Sequence, residues 1–152
     1  MCIRDRSLFH YYGTGITPAM VSTARGAGTQ YFFAERDAKG NYLDGGKTYQ
    51  ITLPPDVPVK QFWSFMVYDN HTRSMLETDQ RSAGVDSLNP DLKANDDGSY
   101  TVWFGPKAPE GKEGNWVQTM PGKGWNTLLR FYGPLESFYD KSWKPGDFEL
   151  VE

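Results

Sequence analysis

The chain has 152 residues, 38% of them hydrophobic and 15% aromatic, enough for one domain with a sizeable core. Sixteen basic residues against nineteen acidic ones leave a net charge of -3, and no run of Lys or Arg could track a phosphate backbone, which argues against nucleic acid as a partner. No stretch reaches the roughly 18 consecutive apolar residues of a membrane span, and the single cysteine, Cys2, excludes a disulfide within the chain and a Cys-based zinc site.

From the N-terminus, Phe9, His10, Tyr11 and Tyr12 form an aromatic cluster. Thr17 followed by Pro18 reads as the start of a short helix: the hydroxyl caps free backbone N–H groups, and proline has no N–H to lose at the first helical position. Residues 26–30 are Gly-rich and read as a loop into a first strand at 31–35. In residues 47–53, Tyr49, Ile51 and Leu53 alternate with Thr48, Gln50 and Thr52, the period of a strand with one buried face, and Pro54, Pro55 and Pro58 end it. Residues 61–68 are apolar on both sides, with Phe62, Met66 and Tyr68 on one and Trp63, Phe65 and Val67 on the other, which predicts a central or covered strand. Asp97-Gly98 is a hairpin signal leading into 99–105, where Tyr100, Val102 and Phe104 share a face. A strand over 126–132 is broken by Gly133-Pro134. Leu135, Phe138 and Tyr139 then have the spacing of a short covering helix, and Lys144-Pro145-Gly146 turns the chain into a last strand at 147–151.

Six or more short strands, sixteen glycines and ten prolines predict a mainly β chain: an antiparallel β-sandwich with short helices at the N-terminus and near the C-terminus. Its expected core is Tyr49, Ile51, Phe62, Phe65, Val102, Phe104, Leu128 and Phe131. Arg130, between Leu129 and Phe131, is expected to be structural and paired with a carboxylate or with loop carbonyls. Periodicity by itself does not choose between a jelly-roll and an immunoglobulin-like arrangement.

Three stretches go further: LDGGKTYQITLPPDVPVKQFWSFMVYDNHTRSML over 43–76, NDDGSYTVWFGP over 95–106, and GPKAPEGKEGNWVQTMPGKGWNTLLRFYGPLESFYDKSW over 105–143. Together they resemble the domain-of-unknown-function family 1214, usually the C-terminal module of larger bacterial proteins that also carry a family 1254 domain. The resemblance covers 8–151 and implies a jelly-roll-like sandwich, but names no chemistry. The first six residues, MCIRDR, resemble translated adaptor sequence from genes assembled out of environmental DNA. The domain organisation expected is therefore a non-native leader over 1–7, a helical and loop lead-in from a missing upstream domain over 8–29, and the β-sandwich over 30–152. For the full-length protein a periplasmic or secreted location is expected.

Candidate chemistry is sparse. Tyr68, Asp69, His71 and Arg73, with Asn70, form a polar cluster at a strand end, where Asp69 could orient His71 as a general base or both could ligate a metal. The competing reading is a turn in which Asp69 and Asn70 bond the local backbone while Arg73 meets a carboxylate. Zinc catalysis usually takes three protein ligands, and His10 and His71 are the only histidines, so no metal, cofactor or catalytic residue is assigned. Trp116, Trp125 and Tyr132 could present stacking faces to a sugar or a partner protein, whereas Trp63 and Trp103, inside strands, are expected to be buried. Glu136 and Asp140 could form a carboxylate pair, or could simply keep a helix face solvated.

These features point to a non-catalytic binding or assembly module of a larger exported bacterial protein, with a carbohydrate or protein partner. Self-association through Phe9, Tyr11 and Tyr12 is also expected. The rival is a hydrolase or metal-dependent enzyme whose site lies at the junction with an upstream domain.

Overall fold

The computed structural model describes residues 25–151. The leader, the helix start at Thr17 and the cluster of Phe9, Tyr11 and Tyr12 lie outside them. The described residues form eight strands: β1 (Thr29–Ala34), β2 (Tyr49–Leu53), β3 (Trp63–Asp69), β4 (Gly84–Asp86), β5 (Tyr100–Gly105), β6 (Trp116–Gln118), β7 (Trp125–Tyr132) and β8 (Glu149–Leu150). A single helical turn, α1 (Glu136–Tyr139), follows β7. The strands build two four-stranded sheets, in the orders β1-β7-β3-β4 and β6-β5-β2-β8. This is the mainly β sandwich that the sequence pattern predicts, in the two-sheet form that the family resemblance implies.

Not every pairing is antiparallel. β6 runs parallel to β5, with Trp103 opposite Trp116 and Gly105 opposite Gln118. A parallel neighbour needs a crossover rather than a hairpin, and buried Asn115 fixes that crossover: its amide donates to the carbonyls of Lys93 and Thr101 and accepts from the Lys93 N–H, at 2.8–2.9 Å. β4 and β6 escape sequence reading because three residues are too few to display a period. β4 opens on Gly84, where a Cβ would stand 2.1 Å from the Phe65 carbonyl oxygen, so only glycine lets it lie this close to β3.

The register explains the core. Trp63, Phe65 and Val67 of β3 stand opposite Phe131, Leu129 and Thr127 of β7, all facing inward, against Tyr49, Ile51, Leu53, Val102 and Phe104 from the other sheet. Six of the eight expected core residues are buried. Phe62 and Leu128 are not: they fall on the outer face of the first sheet and are half-buried, while Trp63 and Leu129 take the inner positions. In strands apolar on both sides, one-residue phase is not readable from hydrophobicity. Trp103, outward-facing in β5, is likewise half-buried, in contrast to Trp63. In the C-terminal helix Phe138 packs on Phe131 and Phe32, but Leu135 is exposed.

Phe104→Ala is expected to lower the unfolding free energy by about 3–5 kcal/mol, whereas Leu88→Ala, at a residue that is 69% exposed, should stay within about 0.5 kcal/mol of the parent; urea denaturation measures both.

Candidate functional site

The two sheets meet along one pair of edges, where β4 approaches β6. At the opposite edges β1 belongs to one sheet and β8, only two residues long, to the other. The gap is bridged by α1 and by residues 141–148, whose Gly146 N–H donates to the Thr52 carbonyl at 2.9 Å and whose Phe148 carbonyl accepts from the Ala38 N–H at 2.8 Å. Underneath lies a cavity of about 440 Å³. Its walls are apolar: Phe32, Ile51, Phe65, Leu129, Phe138 and Trp143 contribute, with Ala34 and Phe148. Arg36, Lys141, Lys144 and Asp147 also line it, all exposed to solvent. A concave, mostly apolar site with a few polar groups at its margin is the ordinary form of a small-molecule site.

The polar cluster at the end of β3 divides. Tyr68 points to the outer face of the first sheet, while Asp69 is buried at the turn and accepts the backbone N–H groups of His71 (2.6 Å) and Thr72 (3.2 Å) together with the ammonium of Lys123. The carboxylate thus holds the His71 backbone rather than its imidazole, and His71 is exposed. Asn70 bonds the Trp125 carbonyl and the Asn126 amide. Arg73 adopts a left-handed backbone (φ 62°) that closes the turn, with its N–H on the Asp69 carbonyl. Among the described residues no three His, Cys, Asp or Glu side chains are grouped to hold a metal.

On the outer face, Arg130 occupies the middle of β7. Its guanidinium donates to the Tyr68 hydroxyl at 2.5 Å and lies near the Tyr31 ring, and its Nε is buried without an acceptor. No carboxylate among the described residues pairs with it, and the Tyr68 hydroxyl stands in place of the expected carboxylate or loop carbonyls. Burial pulls its pKa down, but the bond to the Tyr132 side chain and the nearby hydroxyls of Tyr68, Tyr132 and Tyr31 outweigh this, so the net shift is upward.

The stacking candidates fare differently. Trp125 is fully buried, stacked on Phe104 (5.2 Å, 15°) and edge-on to Tyr49 and Phe148, so it offers no face to a ligand. Trp116 is half-buried, its indole N–H on the Gly105 carbonyl. Tyr132 stacks on Phe62 at 4.0 Å. Glu136 pairs with Arg25 at 3.0 Å on the surface, and Asp140 accepts the Ser142 N–H at 2.8 Å. Bonding to Ser142 lowers the Asp140 pKa, the opposite of what a general acid requires. The cavity itself escaped sequence reading. Its walls come from six separate segments, and the one local cue, Lys141 and Lys144 flanking Trp143, matches no motif.

The Asp69 carboxyl is held below the usual range, first by the Lys123 bond and then, against desolvation, by the two backbone N–H groups. A depressed pKa gives stability that is present above the unfolded value near about 3.9 and lost as the pH falls through the folded one. Asp69→Asn should therefore cost about 1.5–3 kcal/mol at neutral pH, and the gap to the parent should close in urea melts below about pH 4. Arg130→Ala should cost about 1–3 kcal/mol, and less in Arg130→Met, which keeps much of the apolar stem; thermal melts compare the two.

Residues 28–136 match the family described as "Protein of unknown function (DUF1214)". No curated protein matches the chain. Among solved structures, the VPA0106 protein from Vibrio parahaemolyticus is 23% identical over 94% of this chain and 34% of its own, with a TM-score of 0.72. An uncharacterised protein from Burkholderia cenocepacia is 18% identical over 87% of this chain and 37% of its own, with a TM-score of 0.48. The chain thus spans about a third of the length of these proteins, and at such identities the first likeness is one of fold. Since the family match runs from the start of β1 to the start of α1, the chain belongs to the DUF1214 family.

Proposed function

We propose that this domain is a non-catalytic binding module of a larger exported bacterial protein, and that it holds a small apolar ligand in the cavity between β1 and residues 141–148. The cavity carries the reading: about 440 Å³ of mainly aromatic and aliphatic wall that opens to solvent. Among the described residues its lining includes one carboxylate, Asp147, and no histidine, a poor outfit for general acid–base hydrolysis, which needs a donor and an acceptor placed about the same bond. Apolar walls also leave the hydroxyls of a sugar ring without partners, at a cost for each buried one. An apolar ligand fits this cavity better than a carbohydrate, one of the two partner classes expected from the sequence.

Assembly is a second reading, favoured by the outer face of the first sheet, where Tyr31, Phe33, Phe62, Met66, Leu128 and Tyr132 gather around Arg130. Its occupant would be the remainder of a longer chain, of which this domain forms about a third in VPA0106.

Titration with decanol, a neutral apolar probe, tests the binding reading. At a hundred times its dissociation constant a ligand adds about 2.7 kcal/mol, a melting increase of several degrees. Ala34→Phe, which fills the cavity from β1, should fold and abolish the increase. Unchanged melting of the parent at millimolar decanol would refute the reading.

A further inference from the structure

Among the described residues, three of the four charged side chains that line the cavity are cationic, in a chain whose net charge is -3. Arg36 is partly committed: its Nε lies 3.8 Å from Glu35, its guanidinium covers the Tyr42 ring at 3.8 Å, and one amino group donates to the Gly40 carbonyl. Lys141 and Lys144 are in no ion pair among the described residues. They bracket buried Trp143, whose indole N–H is anchored on the Pro55 carbonyl at 3.1 Å, so the segment carrying both ammonium groups is pinned over the apolar opening. Lys141 is held there in a left-handed conformation (φ 63°), which a lysine adopts only when its surroundings impose it. Here the constraint is visible on both sides: Asp140 accepts the Ser142 N–H, and the Trp143 N–H donates to the Ser137 carbonyl.

Resting on the binding reading, we propose that the cavity's occupant is a single-chain amphiphile with an anionic head, of the alkyl carboxylate class. The chain lies against Phe32, Leu129, Phe138 and Trp143, and the carboxylate meets Lys141 and Lys144 at the mouth. The walls supply the bulk of the affinity, because apolar burial scales with area. The lysines choose the head: an ammonium at the edge of a low-dielectric cavity attracts an anion more strongly than one surrounded by water, and salt screens the attraction. A volume near the lower end of small-molecule sites favours one chain over two.

Competition against anilinonaphthalene sulfonate fluorescence, with decanoate and decanol as the probes, separates head from tail. Decanoate should displace the dye at a concentration about fivefold lower than decanol, the order expected from a mouth ion pair. That preference should fade in molar salt. In Lys144→Glu and in the double variant Lys141→Gln/Lys144→Glu, each checked for an unchanged melting temperature, decanoate should weaken and decanol should not. Lys144→Glu keeps the test open should the double variant fail to fold. Equal displacement by decanoate and decanol in the parent, or an equal loss of both in the variants, overturns the anionic head and leaves the apolar cavity standing. Displacement by neither overturns both.

Discussion

The stack of Trp125 on Phe104 ties the two sheets to each other, and the other features of the fold are arranged around it. Trp125 opens β7 in one sheet and Phe104 lies in β5 of the other; Phe148 meets both rings edge-on, and Phe65 meets Phe104 in the same way. Full burial of each such ring contributes roughly 1.5–3 kcal/mol, and the aromatic geometry about 0.5–1.5 kcal/mol more per pair. Because Phe148 belongs to the C-terminal segment, the same cluster that joins the sheets also seats the chain end that roofs the cavity.

That seating is incomplete by construction. β8 pairs only with Tyr49 and Gln50, so the rest of β2's edge is met by the loop at Gly146 instead of by a strand. A Cβ at position 146 would stand 2.9 Å from the Thr52 carbonyl oxygen, and glycine lets the loop lie flush there. Toward β1 no strand among the described residues continues the second sheet, and Phe138 and Trp143 lean in from α1 and from the loop without filling the space. The opening is thus a consequence of one short strand, and its walls are aromatic because the residues that would otherwise face a third layer face each other.

Strand alternation distributes the polar groups. Tyr68 and Asp69 are neighbours in sequence but lie on opposite sides of β3: one reaches Arg130 on the outer face, while the other anchors a turn with Lys123. The tyrosine setting spreads the guanidinium's charge over hydroxyls and rings, which needs no buried carboxylate and avoids the desolvation of a second ion. Asp69 does the reverse, concentrating three donors on one carboxylate to hold the crossing after β3.

By itself the sequence determined the class of the fold, the family and most of the strands. The alternation of Tyr49, Ile51 and Leu53, the Asp97-Gly98 turn and the Gly133-Pro134 break are local signals, and local backbone physics reads them without a partner. It also identified Asp69 as a turn former, since its bonds to the His71 and Thr72 N–H groups run to nearby backbone, whereas Asn70 reaches across to Trp125 and Asn126. What only the tertiary structure decided was which of two apolar faces turned inward, placing Leu129 rather than Leu128 in the core, and which tryptophan became the hub, since burial depends on what the opposite sheet presents. The parallel β5–β6 pair, the tyrosine surroundings of Arg130 and the cavity belong to the same category: each joins residues far apart in the chain, and no periodicity within one segment encodes a contact with another.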